Sequence, residues 1–151
     1  MKRLLIILVL FALFLRVTAP ASGEAVIVAG EVMYEKDVLS WYSIDYWLRV
    51  YEVQEIDIVK RQIRLETGNL TSRICLECNN LTGMRKARRR ETTAIGRLKY
   101  GTAVYRDFRD SLLDYRLWQE RYYRGGDYYE FLKSHGYAMD KDYISKLKLL
   151  N

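Results

Sequence analysis

Apolar residues recur at helical spacing along most of the chain and predict a mainly helical protein. The clearest helix runs over residues 54–67 and ends at Gly68, which suits the left-handed turn that closes a helix. Its apolar residues occupy two nearly opposite faces: Ile56, Val59 and Ile63 on one, Ile58 and Leu65 on the other. A helix that is apolar on two sides packs against neighbours all round. We therefore place it at the centre of the fold.

Shorter helical patterns lie on either side of this central helix. We expect an early helix to begin at a cap at Asp37. A later helix is expected to begin at Ser111, whose spacing to Asp114 resembles a capping box. Asp127 is expected to cap a short helix near the end of the chain, and Asp140 to start the last one.

A small β element is predicted between the central helix and the later helices. Residues 79–101 are rich in turn-forming and charged residues, and residues 102–108 alternate between apolar and polar with period two. The chain has 151 residues, half of them apolar, and can bury one core of ordinary size. The expected fold class is mainly α, of the α+β kind: a single domain with a small β-hairpin lobe after the central helix.

The first 21 residues have the pattern of a signal peptide. Residues 2–3 are basic, and residues 4–15 form an apolar run shorter than the roughly 20 residues that span a bilayer. Residues 19–21, Ala-Pro-Ala, have the small side chains that signal peptidase recognises. Cleavage would leave a lead-in segment at residues 22–36, a domain at residues 37–151, and no stable membrane span. The alternative is an uncleaved anchor, and both outcomes place the protein outside the cytoplasm.

The charge of the chain bears on its partners. Loss of the leader would remove Lys2, Arg3 and Arg16 but no acid, which lowers the formal net charge from +6 to +3. Nucleic acid is not an expected partner of a mildly basic exported protein. The remaining basic residues are most concentrated in residues 85–90, Arg-Lys-Ala-Arg-Arg-Arg, which we call the basic segment. It could face an anionic polymer and speed its capture, or it could be a solvated loop.

Two cysteines, Cys75 and Cys78, are three positions apart. A structural zinc site needs four ligands, and the only histidine, His135, is far away in sequence. We therefore expect no metal and no cofactor. A local disulfide, two unpaired thiols and a redox pair all remain open.

Glu66 is the residue best placed for catalysis. It lies seven positions after Val59 on the central helix, so its carboxyl is expected to point inward beside Ile63. It also lies in the last helical turn, where the helix dipole disfavours a negative charge. Burial and the dipole both favour the protonated carboxyl that a general acid needs near neutral pH. The alternative is a glutamate that turns to the surface.

Four blocks of sequence resemble the glucosaminidase family, glycoside hydrolase family seventy-three, in the family's order. These blocks are Gln-Ile-Arg-Leu-Glu-Thr-Gly at 62–68 with Ser72, Asn-Asn-Leu-Thr-Gly-Met at 79–84, Tyr-Arg-Asp-Phe-Arg-Asp-Ser at 105–111 with Asp114 and Tyr115, and Phe131, Leu132, Gly136, Tyr137, Ala138, Asp142, Tyr143, Lys146 and Leu147. The family contains the flagellar peptidoglycan hydrolases and bacterial autolysins. The resemblance implies a lysozyme-like fold and an endo-β-N-acetylglucosaminidase that acts on the glycan strands of the bacterial wall.

The resemblance also implies the roles of individual residues. Glu66 matches the family's catalytic acid. Asn79, Asn80 and Gly83 match its substrate-cleft loop, in which the two asparagines could bind sugar or acetamido groups, hold the turn, or do both.

Two tyrosines near the end of the chain complete the implied cleft. The resemblance places Tyr143 first and Tyr137 second among the aromatic residues that line it. It implies a catalytic role for Tyr143 and a substrate-binding role for Tyr137. Either could equally be a packed tyrosine with its hydroxyl satisfied.

The chain departs from the family in one respect that concerns the chemistry. Several members carry a second glutamate on the hairpin, but residues 92–96 contain no carboxylate here. Glu91 is the nearest acid and a weak catalytic candidate, because its position beside Arg90 favours a surface ion pair. Without a second carboxylate, the acetamido group of the substrate could assist, or asparagine and tyrosine side chains could hold a water.

Three functions follow. The first is an exported peptidoglycan hydrolase, in the periplasm or cell envelope of a bacterium, that cleaves the β-1,4 bond after N-acetylglucosamine. The second is a non-catalytic protein that binds peptidoglycan glycan strands. The third is an envelope scaffold whose many tyrosines contact other proteins, and the oligomeric state is open in each case.

Overall fold

The structure is a computed structural model in which residues 25–28, 31–137 and 139–150 are described. Residues 1–21, where the signal peptide is predicted, lie outside the described residues. The chain divides into two units, residues 1–34 and residues 35–151. In the first unit, strands β1 (Ala25–Val28) and β2 (Glu31–Tyr34) form an antiparallel hairpin. This hairpin lies within the predicted lead-in segment.

The second unit is mainly helical. Its described helices are α1 (Trp41–Val50), α2 (Ile56–Thr67), α3 (Arg73–Cys78), α4 (Phe108–Tyr122), α5 (Tyr128–Ser134) and α6 (Tyr143–Leu149). Two short antiparallel strands, β3 (Gly96–Arg97) and β4 (Ala103–Val104), pair between α3 and α4. The mainly α fold class with a small β lobe after the central helix is thus confirmed.

Helix α2 is the centre of this unit, as predicted. It packs against α1, α3 and α6. Val59 and Ile63 are fully buried, and Ile58 and Leu65 pack against the same core from partly buried positions. Gly68 ends the helix with a φ of +54°, in the left-handed region expected of it.

The predicted start of the first helix at Asp37 is wrong. Helix α1 begins at Trp41, after a reciprocal cap between Ser40 and Ser43. Ser40 Oγ accepts a hydrogen bond from the backbone N–H of Ser43 at 3.1 Å, and Ser43 Oγ accepts one from the backbone N–H of Ser40 at 2.9 Å. This pair satisfies two N–H groups that the helix leaves without partners. Asp37 lies in a 3-10 turn, and its carboxylate binds Arg109 at 2.7 Å instead.

The predicted start at Ser111 is also wrong. Helix α4 begins earlier, at Phe108, because Asp107 Oδ1 caps it by accepting a hydrogen bond from the backbone N–H of Arg109 at 2.7 Å. Ser111 lies inside the helix, where its hydroxyl donates to the carbonyl of Phe108 at 2.8 Å. A serine hydroxyl can accept from a backbone N–H at a helix cap or donate to a carbonyl of the preceding turn inside a helix, so the residue type alone does not distinguish the two positions.

The two helices at the end of the chain agree with the prediction to different degrees. Asp127 caps α5 as predicted, since its carboxylate accepts a hydrogen bond from the backbone N–H of Tyr129 at 2.8 Å. The last helix begins at Tyr143, later than the predicted start at Asp140. Asp140 accepts a hydrogen bond from the backbone N–H of Asp142 at 2.9 Å and so forms the turn before the helix.

Candidate active site

Glu66 lies in the last turn of α2 with a half-buried carboxyl. The inward direction expected from helical spacing is present, and the hydroxyl of Tyr143, the first residue of α6, donates a hydrogen bond to Glu66 Oε1 at 2.9 Å. Burial raises the pKa of Glu66, and the hydrogen bond from Tyr143 lowers it, with a net rise. The carboxyl therefore keeps its proton to a higher pH than an exposed glutamate does.

Gly83 lies directly against the other oxygen of Glu66. A Cβ atom on Gly83 would be 2.5 Å from Glu66 Oε2 and 2.9 Å from its Cδ, so any side chain there would displace the carboxyl. The φ of +68° at Gly83 is a second reason for glycine. The loop at residues 79–84, which we call the cleft loop, thus places the backbone of Gly83 in contact with the carboxyl of Glu66.

Asn79 and Asn80 hold this loop through its backbone. The amide of Asn79 donates to the carbonyl of Tyr105 at 3.2 Å. The amide of Asn80, which is 1% exposed, donates to the carbonyls of Met84 and Ala103, each at 2.9 Å, and accepts from the N–H of Met84 at 3.2 Å. Both asparagines thus hold the turn. The buried side chain of Asn80 is not accessible to a substrate, whereas that of Asn79 is half-buried, and its substrate contact stays a prediction.

Tyr137 joins the same loop to the end of the chain. Its hydroxyl donates a short hydrogen bond to the carbonyl of Thr82, and its ring lies 5.9 Å from that of Tyr143, measured between centroids. The hydroxyl of Tyr143 is occupied by Glu66. Tyr143 is buried and absent from the cleft lining, so the expectation that its ring lines the cleft ahead of Tyr137 is wrong. Tyr137 is half-buried and does line the cleft.

Glu66 and Gly83 open onto a cleft of about 720 Å³. Two chemical types dominate its lining: the aromatic rings of Trp118, Tyr122, His135 and Tyr137, and the cations Arg85, Lys86, Arg88 and Arg89 of the basic segment. Among the described residues that line the cleft, Glu66 is the one carboxylate. Aromatic faces stack on sugar rings and cations attract anionic groups, so the cleft suits a glycan that bears negative charge.

The family model described as mannosyl-glycoprotein endo-beta-N-acetylglucosaminidase matches residues 45–150, most of the chain and all of this site. The chain belongs to the glucosaminidase family. It is therefore a glycosidase of the peptidoglycan-related class, and the resemblance noted in its sequence is confirmed. Neither a curated protein nor a solved structure matches this glucosaminidase in the corresponding comparisons.

The basic segment of the glucosaminidase is held in place at its end by a buried ion pair. Arg90 donates to Asp114 of α4 at 2.7 Å, and their side chains are 7% and 0% exposed. The hydroxyl of Tyr105 donates to the same carboxylate at 2.7 Å. Arg90 therefore serves as an anchor.

The predicted ion pair between Glu91 and Arg90 is wrong, because the guanidinium takes the buried carboxylate of Asp114 and touches only the backbone carbonyl of Glu91. The exposed side chain of Glu91 lines a separate depression of about 490 Å³ together with Glu120 and Arg121. The structure thus does not bring Glu91 into the cleft of Glu66.

The two cysteines are buried free thiols, one of the arrangements that the sequence left open. Burial raises the pKa of Cys75, which disfavours a reactive thiolate. Across the described residues, no group of three His, Cys, Asp or Glu side chains is placed to hold a metal ion. No helix in the described part of the chain is long and apolar enough to cross a membrane.

Three aromatic residues of the cleft were not assigned to the site from the sequence: Trp118, Tyr122 and His135. Trp118 and Tyr122 lie four positions apart on α4, with ring centroids 6.5 Å apart. Helical spacing could have placed these two rings side by side. It could not show that the basic segment lies in the same cleft, because that depends on how the loop returns to the helix.

Proposed function

We propose that this glucosaminidase is an exported peptidoglycan hydrolase that cleaves the β-1,4 bond after N-acetylglucosamine, with Glu66 as its general acid. The observation that carries the proposal is the setting of Glu66. Its carboxyl is half-buried, has a raised pKa, and lies at the cleft between the hydroxyl of Tyr143 and the backbone of Gly83. A carboxyl in this setting can supply a proton to a departing sugar oxygen.

In the proposed reaction, Glu66 gives its proton to the glycosidic oxygen while the bond to the anomeric carbon breaks. The amides of Asn79 and Asn80 bind the backbone, and the hydroxyls of Tyr137 and Tyr143 bind Thr82 and Glu66. We therefore prefer the acetamido group of the substrate to a water held by asparagine and tyrosine side chains. The acetamido oxygen would form the new bond to the anomeric carbon from the opposite face. Glu66, now a carboxylate, would then take a proton from the water that opens this intermediate. The sugar product would retain its β configuration, which NMR of the first product can test.

The basic segment supports a substrate with anionic groups. Arg85, Lys86, Arg88 and Arg89 line the cleft and form no ion pair with the described residues. The peptides attached to peptidoglycan strands carry carboxylates, whereas unsubstituted N-acetylglucosamine polymers are neutral. Four unpaired cations beside the acid favour the former.

Export to the periplasm or cell envelope is part of the same proposal. It is supported by the basic start, the apolar run and the Ala-Pro-Ala site of residues 1–21. Detection of the mature amino terminus in an expressed sample, by mass spectrometry, would test it.

The hydrolase is tested by digestion of purified peptidoglycan, followed by reduction and mass spectrometry of the products. We expect new reducing N-acetylglucosamine ends from the wild type and from Glu130→Gln, which changes an exposed glutamate of α5, but none from Glu66→Gln. Glu91→Gln is tested in the same digestion. Loss of cleavage by this variant would restore Glu91 as a catalytic candidate. Binding of glycan without cleavage by the wild type would favour the binding-protein alternative.

A further inference from the structure

A chain of buried hydrogen bonds runs behind Tyr143 into the core. Gln62 Nε2 donates to the hydroxyl of Tyr143 at 3.3 Å, and Gln62 Oε1 accepts from the hydroxyl of Tyr115 at 2.5 Å. The hydroxyls of Tyr115 and Tyr128 are 2.6 Å apart, and Gln119 Nε2 donates to Tyr128 at 2.6 Å. None of these five side chains is more than 7% exposed. We call Gln119, Tyr128, Tyr115, Gln62 and Tyr143 the donor chain.

The far end of the donor chain has a fixed direction. The Oε1 atom of Gln119 accepts from the backbone N–H of Gln54 at 2.9 Å, and its Nε2 donates to the carbonyl of the same residue at 2.9 Å. A backbone N–H can only donate and a carbonyl can only accept. The amide of Gln119 therefore has one orientation, and its remaining N–H points to Tyr128.

This direction is passed from group to group, because each hydroxyl has one hydrogen. Tyr128 accepts from Gln119 and so gives its hydrogen to Tyr115. Tyr115 gives its own hydrogen to Gln62 Oε1, which leaves Gln62 Nε2 to face Tyr143. The hydrogen of Tyr143 then points to Glu66 Oε1. The reverse order would leave the buried hydroxyl of Tyr128 without an acceptor among the described residues, which is costly.

We propose that the donor chain sets which oxygen of Glu66 carries the catalytic proton. Oε1 is taken by the hydrogen of Tyr143, so the proton of the neutral carboxyl resides on Oε2. Oε2 is the oxygen that lies against Gly83 at the cleft. Aligned hydrogen bonds polarise one another, so the donors behind Tyr143 strengthen its bond to Glu66. Gln62, Tyr115, Tyr128 and Gln119 are thus positioning residues that act through Tyr143.

The catalytic meaning of this inference rests on the proposed function, but the position of the proton does not. Tyr143→Phe removes the final donor. Tyr115→Phe removes the hydrogen that holds Gln62 Oε1, so the amide of Gln62 is free to turn and accept from Tyr143. In both variants the Glu66 carboxylate loses stabilisation, and its pKa rises.

The test is the titration of Glu66 in the full-length protein labelled with ¹³C at the glutamate carboxyls. We expect the midpoint of Glu66 to rise by about one pH unit in Tyr143→Phe and by about half of that in Tyr115→Phe. Tyr123→Phe is the matched control, since Tyr123 is a buried tyrosine whose ring lies 4.9 Å from that of Tyr128 but whose hydroxyl donates to Gly126 at 2.7 Å. The titration midpoint of Glu66 in Tyr123→Phe should equal that in the wild type.

Kinetics on peptidoglycan give a second readout that a purely structural role would not produce. Tyr115→Phe should lower kcat about tenfold with an unchanged KM, because the proton is misplaced and glycan contacts are intact. The fall of kcat at high pH should move to higher pH in parallel with the titration. A loss of stability alone would lower kcat similarly in Tyr115→Phe and Tyr123→Phe. It would not shift the pH dependence of kcat in either variant.

The inference is overturned if Glu66 in folded Tyr115→Phe titrates as in the wild type while Tyr143→Phe raises its midpoint. If Tyr115→Phe does not fold, Tyr128→Phe removes the preceding donor and is judged by the same criterion. The titration needs no substrate, so a protein that cleaves no glycan would refute the proposed function without deciding the direction of the donor chain.

Discussion

Gly83 lies so close to Glu66 that a Cβ atom on the glycine would be 2.5 Å from the carboxyl oxygen Oε2. This contact joins the cleft loop to the acid at the end of α2. The carboxyl is held between two contacts: the hydroxyl of Tyr143 donates a hydrogen bond to Oε1, and the backbone of Gly83 lies against Oε2. Variants of Gly83 and Glu66, of the buried ion pair of Arg90 and of the cleft cations test this description of the site.

Gly83→Ala should abolish most of the activity. The added methyl group displaces the carboxyl of Glu66, and a misplacement of about 1 Å costs about 100-fold in rate. Gly125→Ala is the matched control, because Gly125 also has a positive φ, +89°, but has no atom within 4 Å of the added carbon. Thermal unfolding should show a loss of stability in both variants, and steady-state kinetics a loss of kcat only in Gly83→Ala. Equal losses of kcat would contradict the role of the contact.

The raised pKa of Glu66 sets the pH dependence of both activity and stability. Activity requires the protonated carboxyl, so kcat/KM should fall as the pH rises through the raised pKa of Glu66. The folded state holds this proton more tightly than the unfolded state, in which the pKa is near 4.5. Its contribution to stability is therefore complete below that value and is lost as the pH rises through the pKa of the folded state.

Glu66→Gln checks this second effect without a substrate. The glutamine variant should gain stability relative to the wild type as the pH rises through the same window, because the amide does not ionise. Urea unfolding at a series of pH values measures the difference in free energy. If the difference in free energy of unfolding between the two proteins stayed constant over these pH values, burial would not raise the pKa of Glu66.

Arg90→Met should destabilise the fold by about 3–5 kcal/mol, because it leaves the carboxylate of Asp114 buried and unpaired. The double variant Arg90→Met with Asp114→Leu should lose less than the sum of the two single variants, since no lone charge remains. Arg88→Met, at an exposed position of the same segment, is the control and should change the free energy of unfolding little. Urea unfolding of the four variants and the wild type measures these differences in free energy.

The cations of the cleft should act on binding rather than on the chemical step. A variant with Arg85, Arg88 and Arg89 changed to glutamine should bind peptidoglycan about tenfold more weakly at low ionic strength, with little difference at high salt. Hydrolysis of a neutral N-acetylglucosamine oligosaccharide should be unaffected. Arg97→Gln, at an exposed arginine of β3 that is absent from the cleft lining, is the control for a general loss of charge. Equal loss on both substrates would argue against recognition of anionic groups.

Features that depend on neighbouring positions were predictable from the sequence. The span of α2, its end at Gly68 and the cap at Asp127 each depend on residues within about one turn. The inward direction of Glu66 follows from its seven-residue spacing to Val59 on the same helix. Hydrophobic period and helix-ending chemistry act locally, so they can be found without knowledge of the fold.

Features that depend on distant partners were not predictable. Asp37 resembles a helix cap in sequence, but its carboxylate binds Arg109, which is 72 positions away. Asp114 has the spacing of a capping-box partner to Ser111, yet it is buried with Arg90, 24 positions earlier. The buried carboxylate of Asp114 needs an opposite charge in space, and this requirement outweighs a local hydrogen bond.

The sequence by itself determined the family, the central helix and the acid at its end, because these are encoded by motifs and by a regular period. Only the tertiary structure decided how the two oxygens of Glu66 differ. Tyr143 reaches Oε1 from a position 77 residues later, and the donor chain behind it takes its direction from the backbone of Gln54. The packing of α6 and α4 around α2 brings these groups together, and no local pattern specifies that packing.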